Sequence, residues 1–240
     1  MTQLKLGMPH LIYNGIDPVW LLKELGNNHW GLLSEAVSFY NGTQRLYASF
    51  FGAEIDFNQG QNYFKEDDIV AINSKIFKFN NQIYRSIHTV LSDTNSAVVH
   101  LDSIFVKKDL ASGLLVKDDP KKVHKNIDLI NHNFLEEHKQ IKNKLSNIDK
   151  NTFNLLPFNP ESLFNGVKIL YFANYLNLVF LNEYLTFNKI QNPIKKINLY
   201  FFKNITEHDR VYGSTTQIDN TFETVLLTNN REIGFCRIER

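Results

Sequence analysis

The chain is 240 residues long, 43% hydrophobic and 21% charged, with 13% aromatic side chains and only 11 Gly and 6 Pro. That composition suits one large domain or two small ones and excludes collagen-like or Pro/Gly-rich disordered character. Lys and Arg number 26 against 25 Asp and Glu, a formal charge of +1, so the basic excess of a dedicated nucleic-acid binder is missing.

Met8–Ile12 reads as a short extended piece. Asp17-Pro18 then starts a helix, with Asp as N-cap and Pro in the first helical position. The helix runs through Val19, Trp20, Leu21, Leu22 and Leu25 to Ala36, with an interruption expected near Gly26. After Asn41-Gly42 the pattern changes to strands at Arg45–Phe57, Ile69–Phe79, Ile83–Leu91 and Ala97–Val106. Asn80-Asn81-Gln82 reads as a tight hairpin turn.

Lys117–Lys150 is rich in Lys, Asn, Asp and Glu and reads as a solvated connector with a helix between Lys121 and Leu145. Its His124, His132 and His138 show no HExxH or facing i, i+4 spacing, so they are expected to be surface histidines rather than metal ligands. Pro160-Glu161-Ser162 opens a second helix, expected to run to Phe187. Strands follow at Ile197–Asn204, Val211–Ile218, Phe222–Thr228 and Glu232–Ile238.

The run Ile169–Phe187 is long enough to cross a bilayer, but Asn174, Asn177, Asn182 and Glu183 would then be buried in lipid. A helix apolar on nearly every side is instead wrapped by protein. Strands that come in runs after a buried helix exclude an alternating βαβ fold. The expected class is α+β, a double hot dog in which each half is a long buried helix wrapped by a curved antiparallel sheet. Its expected divisions are 1–115, a polar, partly helical connector over 116–155, and 156–240. Ligand sites are expected between the halves. A lone cysteine, Cys236, excludes an intramolecular disulfide, and the opening residues lack a signal-peptide core. A cytoplasmic location, no membrane association and no nucleic-acid partner are expected.

Several residues carry candidate chemistry. Arg45, Tyr47 and Ser49 alternate along one strand. A phenol, with pKa about 10, is close enough to a thiol at about 8.5 for acyl exchange between them. His29 precedes Trp30 at the expected helix interruption, placed either to bond freed backbone groups or to act as a base. His100 and Asp102 share a strand face, as a catalytic couple or a cross-strand polar pair. Asn165-Gly166, at the expected start of the buried helix, offers backbone N–H groups for an enolate oxygen, or simply a cap and a close packing point.

Leu11–Trp30, Arg45–Phe50, Val99–Val106 and the stretch Phe164-Asn165-Gly166 through Leu170–Tyr175 resemble LnmK-type acyltransferase/decarboxylases of polyketide biosynthesis. The resemblance covers both halves but not the connector, which is short for that family. It implies transfer of a methylmalonyl-derived group from coenzyme A to an acyl carrier protein, with decarboxylation. The thioesters are substrates and no further cofactor or metal is implied. It assigns the acyl-carrying tyrosine to Tyr47. The residues themselves, rather than the resemblance, offer His29 as a catalytic companion or a structural histidine, and Arg45, Ser49, His100, Asn165 and Gly166 as candidates toward the substrate. Tyr171–Tyr175 with Glu183 also resembles the helix of small hot-dog acyl-CoA thioesterases. Those carry an aspartate near the helix start, which Ser162–Asn165 lacks. Rival readings are a hydrolytic thioesterase and a non-catalytic carrier-docking module. Lys107-Lys108 and Lys195-Lys196 are candidate docking cations for an acidic carrier. A monomer and a homodimer both remain open.

Overall fold

The structure, a computed structural model, describes residues 2–12, 15–57, 62–80, 82–109, 115–131, 134–145, 153–166, 168–189, 193–229 and 231–240. Its strands are β1 (Thr2–Lys5), β2 (Leu11–Ile12), β3 (Gly15–Ile16), β4 (Tyr40–Asn41), β5 (Gln44–Phe57), β6 (Ile69–Lys78), β7 (Ile83–Leu91), β8 (Ser96–Lys108) and β9 (Leu115–Lys117). They continue as β10 (Asn154–Leu156), β11 (Lys196–Phe201), β12 (Val211–Ile218), β13 (Thr221–Thr228) and β14 (Arg231–Glu239). The helices are α1 (Pro18–Ala36), α2 (Phe134–Leu145), the single turn α3 (Pro160–Leu163) and α4 (Tyr175–Phe187).

One antiparallel sheet runs β1-β6-β7-β8-β5-β11-β14-β13-β12-β10. Read outward from the β5–β11 seam, the two halves repeat one order: a central strand, its hairpin partners, then a short edge strand. The helices α1 and α4 lie on one face, and their Leu21, Leu22, Leu176 and Val179 share a single core with Ala53, Ile55, Val99 and Ile197. This is a double hot dog. The connector's flanks join the halves, because β9 pairs with β8 and β10 pairs with β12. Within the connector, α2 covers the opposite face, its Phe134, Ile141 and Leu145 packing on Tyr200, Val225, Leu227 and Phe235.

Two expectations about helices fail for identifiable reasons. The first helix is continuous through Gly26. A Cβ there would lie 2.8 Å from Tyr171 Oη and 2.9 Å from Phe172 Cε1, so this glycine admits the second half's rings rather than breaking the helix. Its propensity cost of ~1 kcal/mol is overridden by that packing. The second helix does not run from Pro160. Phe164 N–H closes α3 onto Pro160 O at 3.0 Å, after which Phe164 bridges to Leu170 and Ile169 to Thr206. Lys168 takes a left-handed φ of 61°, a conformation no helix continues through. From Phe172 onward the chain is helical again and buried. Only in the last turn do Tyr184 and Leu185 emerge to solvent.

The polar residues that excluded a membrane span find partners inside protein, although Glu183 Oε1 is buried without a hydrogen-bond partner among the described residues. Asn174 donates to Leu163 O at 2.7 Å, Asn182 meets the Thr215 hydroxyl at 2.7 Å, and Glu183 pairs with Arg240 at 2.6 Å. Among the described residues no helix is long and apolar enough to cross a membrane. In the hairpin between β6 and β7, Asn80 Oδ1 accepts from Gln82 and Ile83 N–H; Asn81 lies outside the described residues.

Candidate active site

The central strand β5 carries a bulge between Phe50 and Gly52 where its pairing with β8 shifts register. Such a bulge bends a strand and re-aims its side chains. Here it opens a pocket of about 70 Å³ at the seam between the halves. Trp30 of α1, Ala48, Ser49 and Phe50 of β5, and Phe201 and Asn204 at the end of β11 form one side. The segment ahead of α4 supplies Asn165, Ile169, Leu170, Tyr171 and Phe172, and Tyr175 closes it. The Phe50 and Phe172 rings pack at a tilt with centroids 4.0 Å apart.

The electrostatics of this pocket are simple. Among the described residues that line it, none is an acid, a histidine, a lysine or an arginine. Burial pushes the Tyr171 phenol up to about 12, so it stays protonated and acts as a donor at neutral pH. Tyr175 is also pushed up by burial, and its hydroxyl donates to Lys203 O at 2.7 Å. Asn165 is held by its own loop: its N–H donates to Ile169 O at 3.0 Å and its Oδ1 accepts from Ile169 N at 3.3 Å.

The sequence-derived candidates therefore divide. Asn165 lines the pocket, and so does the Ser49 position, although strand alternation sends the Ser49 side chain to the same sheet face as Tyr47. Gly166 is exposed, with nothing within 4 Å of where a Cβ would sit. The pair Asn165-Gly166 lies in the loop before α4 rather than at a helix start, so the expected helix-terminal N–H donors are not there. Tyr47 and Arg45 stand elsewhere. Leu46 and Ala48 pack with Leu33 and Ala36 of α1, so the alternate residues project from the opposite face of the sheet. Arg45 Cζ lies 5.4 Å from the centre of the Tyr47 ring. His29, fully buried between α1 and the sheet, is thus on the other face from Tyr47, and the two form no nucleophile–base pair. His100 Nδ1 is 3.3 Å from Glu54 Oε2, and Lys196 Nζ is 2.7 Å from Glu54 Oε1. Hydrogen bonding from His100, with help from Lys196, holds the Glu54 carboxyl down at about 2. Asp102 instead receives a two-pronged bond from Arg85.

The sequence reading missed the setting of His29. Its Nδ1 is 2.6 Å from Ser86 Oγ and its Nε2 is 2.8 Å from Ser103 Oγ. Ser86 Oγ continues to His88 Nε2 at 2.7 Å, and His88 Nδ1 to Ser74 Oγ at 2.7 Å. Each neutral imidazole has one donor and one acceptor nitrogen, so Ser86 forces both rings into the same tautomer. The available signal was polar residues at inward strand positions, Ser86 and His88 two apart and Ser103 on the neighbouring strand. Burial, reinforced by neighbouring histidine charge, drives His29 well below the usual imidazole range and His88 down to about 3. Unfolded histidines take up protons near pH 6.5 while these native ones do not. Their stability contribution is therefore whole above about pH 6.5 and is lost as pH falls from there toward 3. Denaturant unfolding across that window should show a loss on the order of a few kcal/mol, and His88→Gln should flatten the slope. An equal slope in the variant would remove His88 from the account.

Two surface expectations also change. His138 packs on Phe202 with centroids 5.0 Å apart and its Nε2 donates to Phe201 O at 3.2 Å, so it is a partly buried anchor of α2. His124 is exposed, as expected, and His132 lies outside the described residues. Lys107 pairs with Asp118 at 3.3 Å, and Lys196 with Glu54. Lys107 sits opposite Leu46 and Lys196 opposite Asp56, near the two ends of β5, about 30 Å apart along the strand. The two lysine pairs cannot flank one pocket mouth.

No protein-family model matches the chain, and no curated protein sequence does. Solved structures do. The 12:0-ACP thioesterase from Umbellularia californica aligns with TM-score 0.70 and 11% identity, over 99% of this chain and 95% of that one. An acyl-ACP thioesterase from Bacteroides thetaiotaomicron aligns with TM-score 0.67 and 8% identity, over 99% and 96%. A MaoC-like dehydratase from Phytophthora capsici reaches TM-score 0.52 at 7% identity, over 80% and 72%. These likenesses are of fold, and the fold hosts more than one chemistry.

Proposed function

We propose that the chain is an acyl-thioester enzyme that binds a malonyl-type, methylmalonyl-sized acyl group of coenzyme A at the seam, decarboxylates it and passes the product acyl group to an acyl carrier protein. The observation that carries this reading is the seam pocket itself, lined by hydroxyls, carboxamides and aromatic rings with no acid, base or cation. Hydrolysis needs a group to take a proton from water, and no lining residue titrates near neutrality in that role. Decarboxylation needs none. A carboxylate in apolar surroundings loses its hydration. Breaking its bond to Cα releases neutral CO2 and leaves the electron pair on an enolate, with the charge on the former carbonyl oxygen. Tyr171 and Asn165, both among the lining residues, are the donors we assign to that oxygen. A proton from solvent then returns to Cα. Transfer completes when the carrier's thiolate attacks the acyl carbon and the coenzyme A thiolate leaves.

The resemblance to LnmK-type enzymes of polyketide biosynthesis supports this substrate class. The acyl-ACP thioesterases that share the fold support a carrier protein as partner. The reading requires no metal or cofactor beyond the thioester substrates, and it suits a cytoplasmic enzyme. The test is mass spectrometry after incubation with methylmalonyl-CoA and a phosphopantetheinylated carrier. The expected products are CO2 and a propionyl-carrier. Free methylmalonate would mark a thioesterase, and unchanged substrate a docking module.

A further inference from the structure

Phe50 belongs to two structures at once. It lines the seam pocket, and its ring centre lies 4.9 Å from that of the His29 imidazole. On β5 it is paired with Ser103 of β8, the residue whose hydroxyl meets His29 Nε2 at 2.8 Å. The ring also packs at a tilt on Phe172, centroids 4.0 Å apart, and Phe172 packs edge-on against Phe201 at 6.3 Å. Phe50 is thus clamped between α1 and the segment ahead of α4.

Behind Phe50, beneath α1, lies a polar cluster. His29, Ser86 and Ser103 are all fully buried there and bonded to one another. An alkyl chain reaching past Phe50 would first displace a ring packed against two partners. It would then lie against hydroxyls and imidazoles whose hydrogen bonds it cannot replace. On the near side, about 70 Å³ holds on the order of five water-sized atoms.

Resting on the acyl-thioester reading above, we infer that Phe50, backed by the His29–Ser103 pair, is the stop that sets acyl-chain length, admitting acyl groups of about four carbons and rejecting longer ones. The role belongs to a specificity-determining side chain, one that touches the acyl group without taking part in bond changes.

The probes are pantetheine ketones with the thioester sulfur replaced by methylene, so that binding is read without reaction. Propionyl, hexanoyl and dodecanoyl members are titrated calorimetrically into the full chain. Wild type should favour the propionyl probe over the hexanoyl by roughly tenfold or more and give no dodecanoyl binding. Phe50→Ala should bring hexanoyl to within about threefold of propionyl, with dodecanoyl still excluded by the polar layer. Phe50→Leu, which keeps more of the packing, should move the ratio in the same direction and serves if the alanine variant does not fold. Equal binding of all three probes by wild type, or an unchanged ratio in a folded variant, overturns the stop. Failure of every probe to bind wild type overturns it together with the seam pocket as the acyl site. CO2 release from methylmalonyl-CoA is measured separately. Its absence, with the chain-length preference intact, would overturn the decarboxylase reading and leave the stop standing.

Discussion

Tyr171→Phe should lower CO2 release from methylmalonyl-CoA by about 10²-fold or more, while the thermal midpoint stays near that of wild type. Deleting one preorganised donor to a developing oxyanion costs rates of that order. Tyr171 lines the pocket, and burial pushes its phenol up to about 12, so its proton is present throughout the physiological range. The ring that holds the hydroxyl remains, including the contact with Phe172 at 4.9 Å between centroids, so packing is largely kept. Tyr47→Phe is the control that gives the result its meaning. Tyr47 projects from the other face of the sheet, and its rate should stay within about threefold of wild type, since no bond to the reacting group is lost. The reverse result, Tyr171→Phe active and Tyr47→Phe inactive, would move the chemistry to the far face. If Tyr47→Phe decarboxylates but no longer loads the carrier, and intact-protein mass shows an adduct on wild type alone, then Tyr47 carries the acyl group in a separate transfer step.

The architecture could be read from the chain because it depends on patterns that few folds satisfy. An all-round apolar run at Ile169–Phe187, interrupted by a few asparagines, must be enclosed by protein. Strands that alternate inward and outward in an unbroken run must pair antiparallel. Neither statement needs a long-range contact to be known. The errors lie where such contacts decide. Gly26 reads as a helix breaker in isolation, yet two rings from a segment far along the chain occupy its missing Cβ. The Pro160 start is sound for a single turn, and the bridges of Phe164 to Leu170 and of Ile169 to Thr206 then take the backbone away.

The site was harder still. Tyr47 and His29 are both visible as candidates, but period-two alternation fixes only which strand residues share a face, not which face meets a helix. Leu46 and Ala48 settle that by packing on α1. The pocket's chemistry lies in Tyr171, which sits in a run that reads as core, and in Phe50, which reads as an ordinary strand aromatic. A pocket made mainly of aromatic rings and amides has no titrating signature for a sequence motif to display.

Asp102→Ala should destabilise the chain by about 3–5 kcal/mol. Arg85 and Asp102 are each 1% exposed in their side chains, and Arg85 Nε and Nη2 donate to the two carboxylate oxygens at 2.7 and 2.6 Å. The guanidinium lies between the rings of Phe79 and Phe134, 5.2 and 5.3 Å from their centres, and its Nη1 is buried without a hydrogen-bond partner. Removing the carboxylate leaves a cation with no counter-charge in that apolar slot. At about 2–4 °C per kcal/mol for a chain of this length, the thermal midpoint should fall on the order of 10 °C. Replacing both partners by apolar residues of similar volume, Arg85→Met with Asp102→Leu, should recover most of the loss, because the desolvation penalty disappears with the charges. The double variant separates two roles. Phe134 fastens α2 across the sheet beside Gly52, where a Cβ would collide with its ring, and Gly52 borders the bulge that opens the seam pocket. If the double variant regains stability but not CO2 release, the ion pair is needed to hold α2 and the bulge in register for the pocket. If it regains both, the pair is a replaceable fastening. A single Asp102→Ala variant within about 1 kcal/mol of wild type would show that the slot opens to water, and that the pair holds neither.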